Sequence, residues 1–205
     1  DARKVYGMVS NIDDNIGKLL QKITDLGIEE ETIVIFMTDN GPQQLRFTAG
    51  MRDKKGSVYH GGTRVPFFLK YPALTKESKV IETMSAHFDV LPTLSELCHV
   101  ALPNDRKIDG KSLLPLIKGK KNDWSDRALF SYWTRKFPEL YNGMAVQKSG
   151  YKLVGQTNFN ASIEDFELYH LKNDPYETNN LSAQFPEKSK ELERLFMEWK
   201  QKVGL

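Results

Sequence analysis

A continuous apolar run, Ile33-Val34-Ile35-Phe36-Met37, ends in Thr38-Asp39-Asn40-Gly41, and this junction restricts the fold of the chain more than any other feature. Apolar residues without polar alternation, rich in β-branched and aromatic side chains, predict a strand buried on both faces, as in a parallel sheet. Just upstream, Val5, Met8, Ile12, Ile16, Leu19, Ile23 and Leu26 recur at steps of three and four, with Lys4, Asp13, Asp14, Lys18 and Lys22 between them. That spacing predicts an amphipathic helix over residues 3–26, ended by Gly27. A helix feeding such a strand is half of a βαβ unit, so this part of the chain reads as α/β. Residues 65–71 read as a second strand and residues 88–99 as a helix, in which Pro92 is tolerable only near the first turn.

After about residue 105 the texture changes. Turn-rich stretches at Ile108 to Pro115 and Gly119 to Asn122 precede short candidate strands at 128–134, 144–147 and 151–154, with Ser149-Gly150 as a tight hairpin connection. A further strand fits 167–171, and Asn173-Asp174-Pro175 is a strong turn. Leu192, Leu195, Phe196 and Trp199 space like one face of a terminal helix from near Pro186 to Gly204. The expected organisation is an α/β portion over 1–105 and a subdomain over 106–205, in which a small antiparallel sheet is covered by the closing helix.

Composition narrows the function classes. With 205 residues, 40% hydrophobic and 27% charged, the chain can bury a substantial core. Its net charge is +2 and neither sign forms a block, so nothing calls for nucleic acid or an anionic membrane. The apolar runs fall far short of the roughly 20 residues of a membrane span. The single cysteine, Cys98, excludes an internal disulfide framework and reads as a small buried residue at a helix end.

The chemistry gathers around the opening junction. Ligands of open α/β sheets bind at the carboxyl ends of the strands, which is where Asp39 and Asn40 fall. One charged and one neutral oxygen suit a hard cation such as calcium or magnesium better than zinc. Asp-Asn-Gly is also a good turn by itself, and on the tripeptide alone that is the better reading. Downstream, Lys55-Gly56-Ser57-Val58-Tyr59-His60-Gly61-Gly62 offers a compact cation among glycines that permit close approach to a ligand such as sulfate or phosphate. Lys55 also reads as an exposed loop lysine, and Arg64 as either a carboxylate partner or a second anion contact.

Several motifs in order carry a family resemblance: Ile12-Asp13-Asp14-Asn15-Ile16-Gly17; Thr38-Asp39-Asn40-Gly41-Pro42; Lys55-Gly56-Ser57 through Tyr59, Gly61-Gly62 and Arg64-Val65-Pro66; Asp89 with Leu91-Pro92-Thr93-Leu94; and Glu167-Leu168-Tyr169 through Leu171, Asp174-Pro175, Glu177 and Asn180-Leu181. Together they resemble the C-terminal half of the type I, arylsulfatase-like sulfatases over nearly the whole chain. The resemblance implies an alkaline-phosphatase-like α/β core portion with a C-terminal α+β subdomain carrying a four-stranded antiparallel sheet. It implies calcium-dependent hydrolysis of sulfate esters, with Asp39 and Asn40 as calcium ligands and Lys55 as the catalytic, sulfate-binding cation. Sulfated small molecules or carbohydrates are the implied substrates, and a periplasmic or secreted location is favoured.

The departures from the family matter equally. Its formylglycine nucleophile comes from a Cys-x-Pro-x-Arg sequence, and this chain contains none; the family's upstream aspartates, histidine and lysine are absent too. The chain begins Asp1-Ala2-Arg3, with neither an initiating methionine nor an apolar signal core. The expectation is therefore a fragment whose partner is the missing N-terminal half, and which is inactive alone. His60 stands where the family often has Glu, and reads as a substrate contact or a loop residue. His87, and Tyr132-Trp133 with Arg135, are candidates to line a substrate pocket, although Trp133 also fits the core of the small sheet and His87 a capped or surface position. Asn160-Ala161-Ser162 and Asn180-Leu181-Ser182 match the short glycosylation pattern. A phosphodiesterase or phosphonate hydrolase of the same superfamily, or a non-catalytic carbohydrate-binding homologue, are the alternatives.

Overall fold

The computed structural model describes residues 2–120, 124, 126–134, 143–155 and 162–204. Arg135, Lys121-Asn122 and Asn160-Ala161 lie outside the described residues. Contacts gather the chain into two compact units, Asp1–Phe36 with Phe68–Trp124, and Met37–Phe67 with Ser125–Leu205.

In the first unit the apolar spacing produces α1, Ala2–Asp25, which ends before Gly27 at φ 67°, a left-handed position suited to glycine. A 3₁₀ turn, Glu29–Glu31, follows, and Glu29 pairs with Lys70. The apolar run becomes β1, Val34–Met37, paired with β2, Phe67–Lys70, in a two-stranded sheet. The expectation of a strand buried on both faces is corrected here: β1 is half-buried at Val34 and Ile35 and exposed at Phe36 and Met37. A sheet of two strands leaves most of both faces without cover. No residue of α1 is buried either.

The helix expected over 88–99 is a 3₁₀ turn, His87–Asp89, running into α3, Val90–Leu97, with Pro92 in the first turn. Asp89 is fully buried, and its carboxylate accepts N–H bonds from Ala86 at 2.8 Å and Lys111 at 2.9 Å. Thr93 Oγ1 donates to the Asp89 carbonyl at 2.6 Å and accepts the Leu113 N–H at 2.8 Å. The Asp89–Thr93 motif thus fastens the turn-rich segment before α4, Leu114–Ile117, whose Leu114 and Leu116 are buried. Cys98 is exposed, not buried as its helix-end context led us to expect. It caps α3 just before His99 turns the chain at φ 56°, on the outward side.

The second unit holds the antiparallel sheet β3–β6: β3 is Leu129–Tyr132, β4 Met144–Lys148, β5 Tyr151–Val154 and β6 Glu167–His170, in the order β3-β4-β5-β6. Ser149 at φ 52° and Gly150 at φ 79° are both left-handed, as a two-residue hairpin loop matched to strand twist requires. The register aligns Phe130, Val146, Leu153 and Leu168 across the sheet. On this face lies α5, Pro186–Val203, through the fully buried Leu192 and Phe196, while Trp199 stacks on Phe130 at 5.0 Å. Each such burial stabilises the fold by about 1.5–3 kcal/mol. The other face carries Ala145, Val154 and Tyr169, covered by Val58 and Tyr59. None of the described helices is long and apolar enough to cross a membrane.

Candidate functional site

Asp39 and Asn40 follow β1 in a tight turn. The Asp39 carboxylate accepts the Asn40 N–H at 2.9 Å, and the Gly41 N–H donates to the Gly62 carbonyl at 2.9 Å. The next residue, Pro42, accepts the Lys55 N–H at 3.0 Å. The turn that carries the two oxygen donors is therefore stitched by backbone bonds to both ends of the segment 55–62. Asp39 and Lys55 are exposed and Asn40 is half-buried, so the charged groups face outward from this knot.

The glycines owe their identity to chain crossing. A Cβ on Gly41 would lie 1.7 Å from the Gly61 carbonyl oxygen, one on Gly61 2.0 Å from that of Asp53, and one on Gly62 2.1 Å from that of Ser57. Only glycine lets these strands of backbone meet. The close approach expected of them from the sequence is thus to the chain's own backbone.

His60 opens the short α2, His60–Thr63. It is buried, its N–H donates to Glu177 Oε2 at 2.6 Å, and its Nδ1 lies 3.0 Å from the Pro175 carbonyl. Burial, and after it the nearby Lys152 charge, holds its imidazole pKa below the ordinary value. Glu177 is fully buried at φ 56° and pairs with the buried Lys152 at 2.7 Å. One carboxylate thus neutralises Lys152 and satisfies the first amide of α2, which makes the buried charges tolerable. His87 lies in the first unit, exposed at the start of its 3₁₀ turn.

A second polar cluster sits on the same sheet face. The Arg52 guanidinium stacks over the Tyr59 ring, 3.9 Å from its centroid, pairs with Glu167 at 3.1 Å and donates to the Tyr169 hydroxyl. Tyr59 donates its own hydroxyl to Glu167. Burial, and then the bond to Glu167, pushes both tyrosine pKa values well up, so both hydroxyls stay protonated. Sequence reasoning singled out neither Arg52 nor Lys152. A legible signal was present for Lys152: it alternates with Tyr151 and Leu153 so as to share the face of buried Val154. Trp133, for which the sequence left both a substrate pocket and the sheet core open, is 43% exposed, and its ring edge lies 3.2 Å from where a Gly56 Cβ would stand.

The family model for N-sulphoglucosamine sulphohydrolase, C-terminal, matches residues 49–202, which includes the Lys55 segment, the sheet and α5. The chain belongs to the sulfatase family, in its C-terminal region. It is 32% identical to a sulfatase of Formosa agariphila over 87% of this chain and 35% of that protein. It is 34% identical to human arylsulfatase A over 83% of this chain and 37% of that one. It is also 28% identical to an N-acetylglucosamine-6-O-sulfatase of Bacteroides thetaiotaomicron over 96% of this chain and 35% of that one. The chain thus spans about a third of the length of these sulfatases. The crystal structure of Ps i-CgsB has the same fold at a TM-score of 0.80 and 22% identity, covering 94% of this chain and 42% of its own. BT4656, solved in complex with its substrate D-glucosamine-2-N,6-O-disulfate, matches at a TM-score of 0.65 and 26% identity over 94% of this chain and 39% of its own. The four-stranded antiparallel sheet with its closing helix is the sulfatase C-terminal subdomain expected from the motifs.

As a metal site, the Asp39–Asn40 turn has suitable chemistry, one carboxylate and one amide oxygen for a hard cation. It supplies two donors of the about six to eight that calcium takes. No cluster of three or more His, Cys, Asp or Glu side chains able to hold a metal occurs among the described residues.

Proposed function

We propose that this chain is the C-terminal part of a calcium-dependent sulfuric ester hydrolase. In this reading Asp39 and Asn40 give two of the metal's oxygen ligands and Lys55 engages the sulfate group. The observation that carries it is the backbone stitching of the Asp39–Pro42 turn to the Lys55–Gly62 segment, which holds an oxygen-donor pair and an exposed ammonium on one knot. Bound calcium supplies Lewis-acid polarisation of the ester's sulfate oxygens. Lys55 adds a compact, mobile cation with three donors for the same oxygens. The exposed Trp133, packed against Gly56, is offered as a substrate contact. His60 can meet substrate only through the part of its ring not already engaged by Pro175.

The substrate class proposed is a sulfated carbohydrate, in keeping with relatives named for N-acetylglucosamine-6-O- and N-acetylgalactosamine-6-O-sulfate cleavage. With two metal ligands and no nucleophile motif, the 205-residue chain is expected to bind calcium weakly and to turn over no aryl sulfate. The test is ester hydrolysis by the complete polypeptide that carries this chain, with and without a calcium chelator. Loss of turnover on chelation and in Lys55→Ala supports the reading. Preference for phosphate over sulfate esters, or turnover by the isolated chain, overturns it.

A further inference from the structure

We infer that Arg52, held by Glu167 and Tyr59, is a positioning residue that sets the backbone geometry from which Lys55 reaches the substrate. The inference rests on the reading of Lys55 as the sulfate-binding cation. Lys55 stands between two left-handed residues, Asp53 at φ 64° and Gly56 at φ 84°. A left-handed residue other than glycine is disfavoured by about 1 kcal/mol, relieved in part at Asp53 by its carboxylate accepting the Lys54 N–H at 2.9 Å, and an external restraint adds to what keeps this shape. Arg52 provides it from both ends of the residue. Its carbonyl accepts the Gly61 N–H at 2.8 Å, fixing the start of the loop to the glycine pair. Its guanidinium is fastened in the opposite direction, to Glu167 at 3.1 Å, to the Tyr169 hydroxyl and to the Glu177 carbonyl at 3.3 Å.

Stacking over Tyr59 closes the arrangement, because Tyr59 immediately precedes α2 and donates to the same Glu167 carboxylate. The planar fork of arginine meets an acid, two phenols and a carbonyl together, which a lysine at this position would not reproduce. Glu167 and Tyr169 lie on β6, so the rigid sheet is the reference against which the loop is held. Arg52 is three residues from Lys55, and a misplacement of the ammonium by about 1 Å costs on the order of a hundredfold in rate.

The experiment is a double-mutant cycle in the complete polypeptide, with Arg52→Ala and the gentler Glu167→Gln each made alone and combined with Lys55→Ala. If Arg52 acts through Lys55, each clamp variant lowers kcat/KM by about tenfold or more in the native background and by less than about threefold once Lys55 is gone. An equal loss in both backgrounds would mean that the cluster serves stability only, and would sink the proposal. Amide hydrogen exchange reads the clamp independently of turnover. In Glu167→Gln, exchange at Lys55 and Gly61 should quicken about tenfold while Val146 and Leu153 keep their protection. Unchanged exchange in the loop overturns the inference even in a protein that cleaves sulfate esters. A native polypeptide that cleaves no ester defeats the sulfatase reading instead, and the exchange rates still decide the clamp.

Discussion

The two compact units meet the same requirement, burying an amphipathic pattern, with opposite results. In the second unit the alternation of β3–β6 and the spacing of α5 meet each other, and Leu153, Leu168, Leu192 and Phe196 are at most 1% exposed. In the first, α1 has an equally regular apolar stripe, yet Met8, Ile12 and Leu19 are each more than half exposed. Periodicity dictates a helix, and cover dictates whether that helix contributes to a core. The same contrast holds for ion pairs, although the first unit also buries and satisfies the Asp89 carboxylate. The second unit places Glu177, Lys152 and His60 out of water and satisfies them internally, while the ion pairs of the first, such as Arg106–Asp105, lie on the surface.

The contrast can be broken most forcefully at Glu177. Glu177→Ala strands Lys152 and the His60 amide and is expected to cost about 3–5 kcal/mol in urea unfolding. A loss below about 1 kcal/mol would show that the buried pair is solvated. Next, Leu192→Ala is expected to destabilise by about 2–5 kcal/mol and Leu19→Ala by less than about 0.5 kcal/mol. Similar values for the two would mean that α1 is covered in solution, by self-association or otherwise.

Glycines give a smaller and sign-reversed comparison. Gly61→Ala drives a methyl into backbone and should destabilise by about 1–3 kcal/mol, whereas Gly17→Ala on α1, with open space around its Cβ, should stabilise by about 0.5–1 kcal/mol. The smallest effect is a pH dependence. His60 is held neutral in the fold by burial, so below its unfolded pKa of about 6.5 the unfolded chain takes up a proton that the folded one refuses. Stability should fall as pH drops through about 6.5 and level off below the folded pKa. His60→Gln should flatten that step in the urea midpoint between neutral and mildly acid pH, and an unaltered step would assign it to another group.

Much of the architecture was legible because it depends on local rules. Gly27 and Gly204 end their helices, Ser149-Gly150 turns its hairpin, and the period of Leu192, Leu195, Phe196 and Trp199 is a property of adjacent turns. The positions of Asp39, Asn40 and Lys55 on a strand-end turn and a glycine-rich loop were also readable, since residue type and order carry that chemistry. Burial was not readable for β1 or Cys98, because exposure depends on what lies opposite and no spacing within a segment records it.

The sequence alone determined the long helices α1 and α5, the strands, the turn chemistry and the motif order that marks a sulfatase C-terminal region, while the one-turn helices α2 and α4 lie where it reads as loop and turn. Tertiary structure alone decided that residues 37–67 pack with 125–205, and that Gly41, Gly61 and Gly62 are glycine so that backbones can cross. It also decided that Arg52 finds Glu167 across 115 residues of chain and that His60 finds Glu177 across 117. Pairings over such separations arise when a folded sheet brings distant polar groups out of water together, where each must be satisfied. That demand belongs to the assembled core and to no stretch of sequence taken by itself.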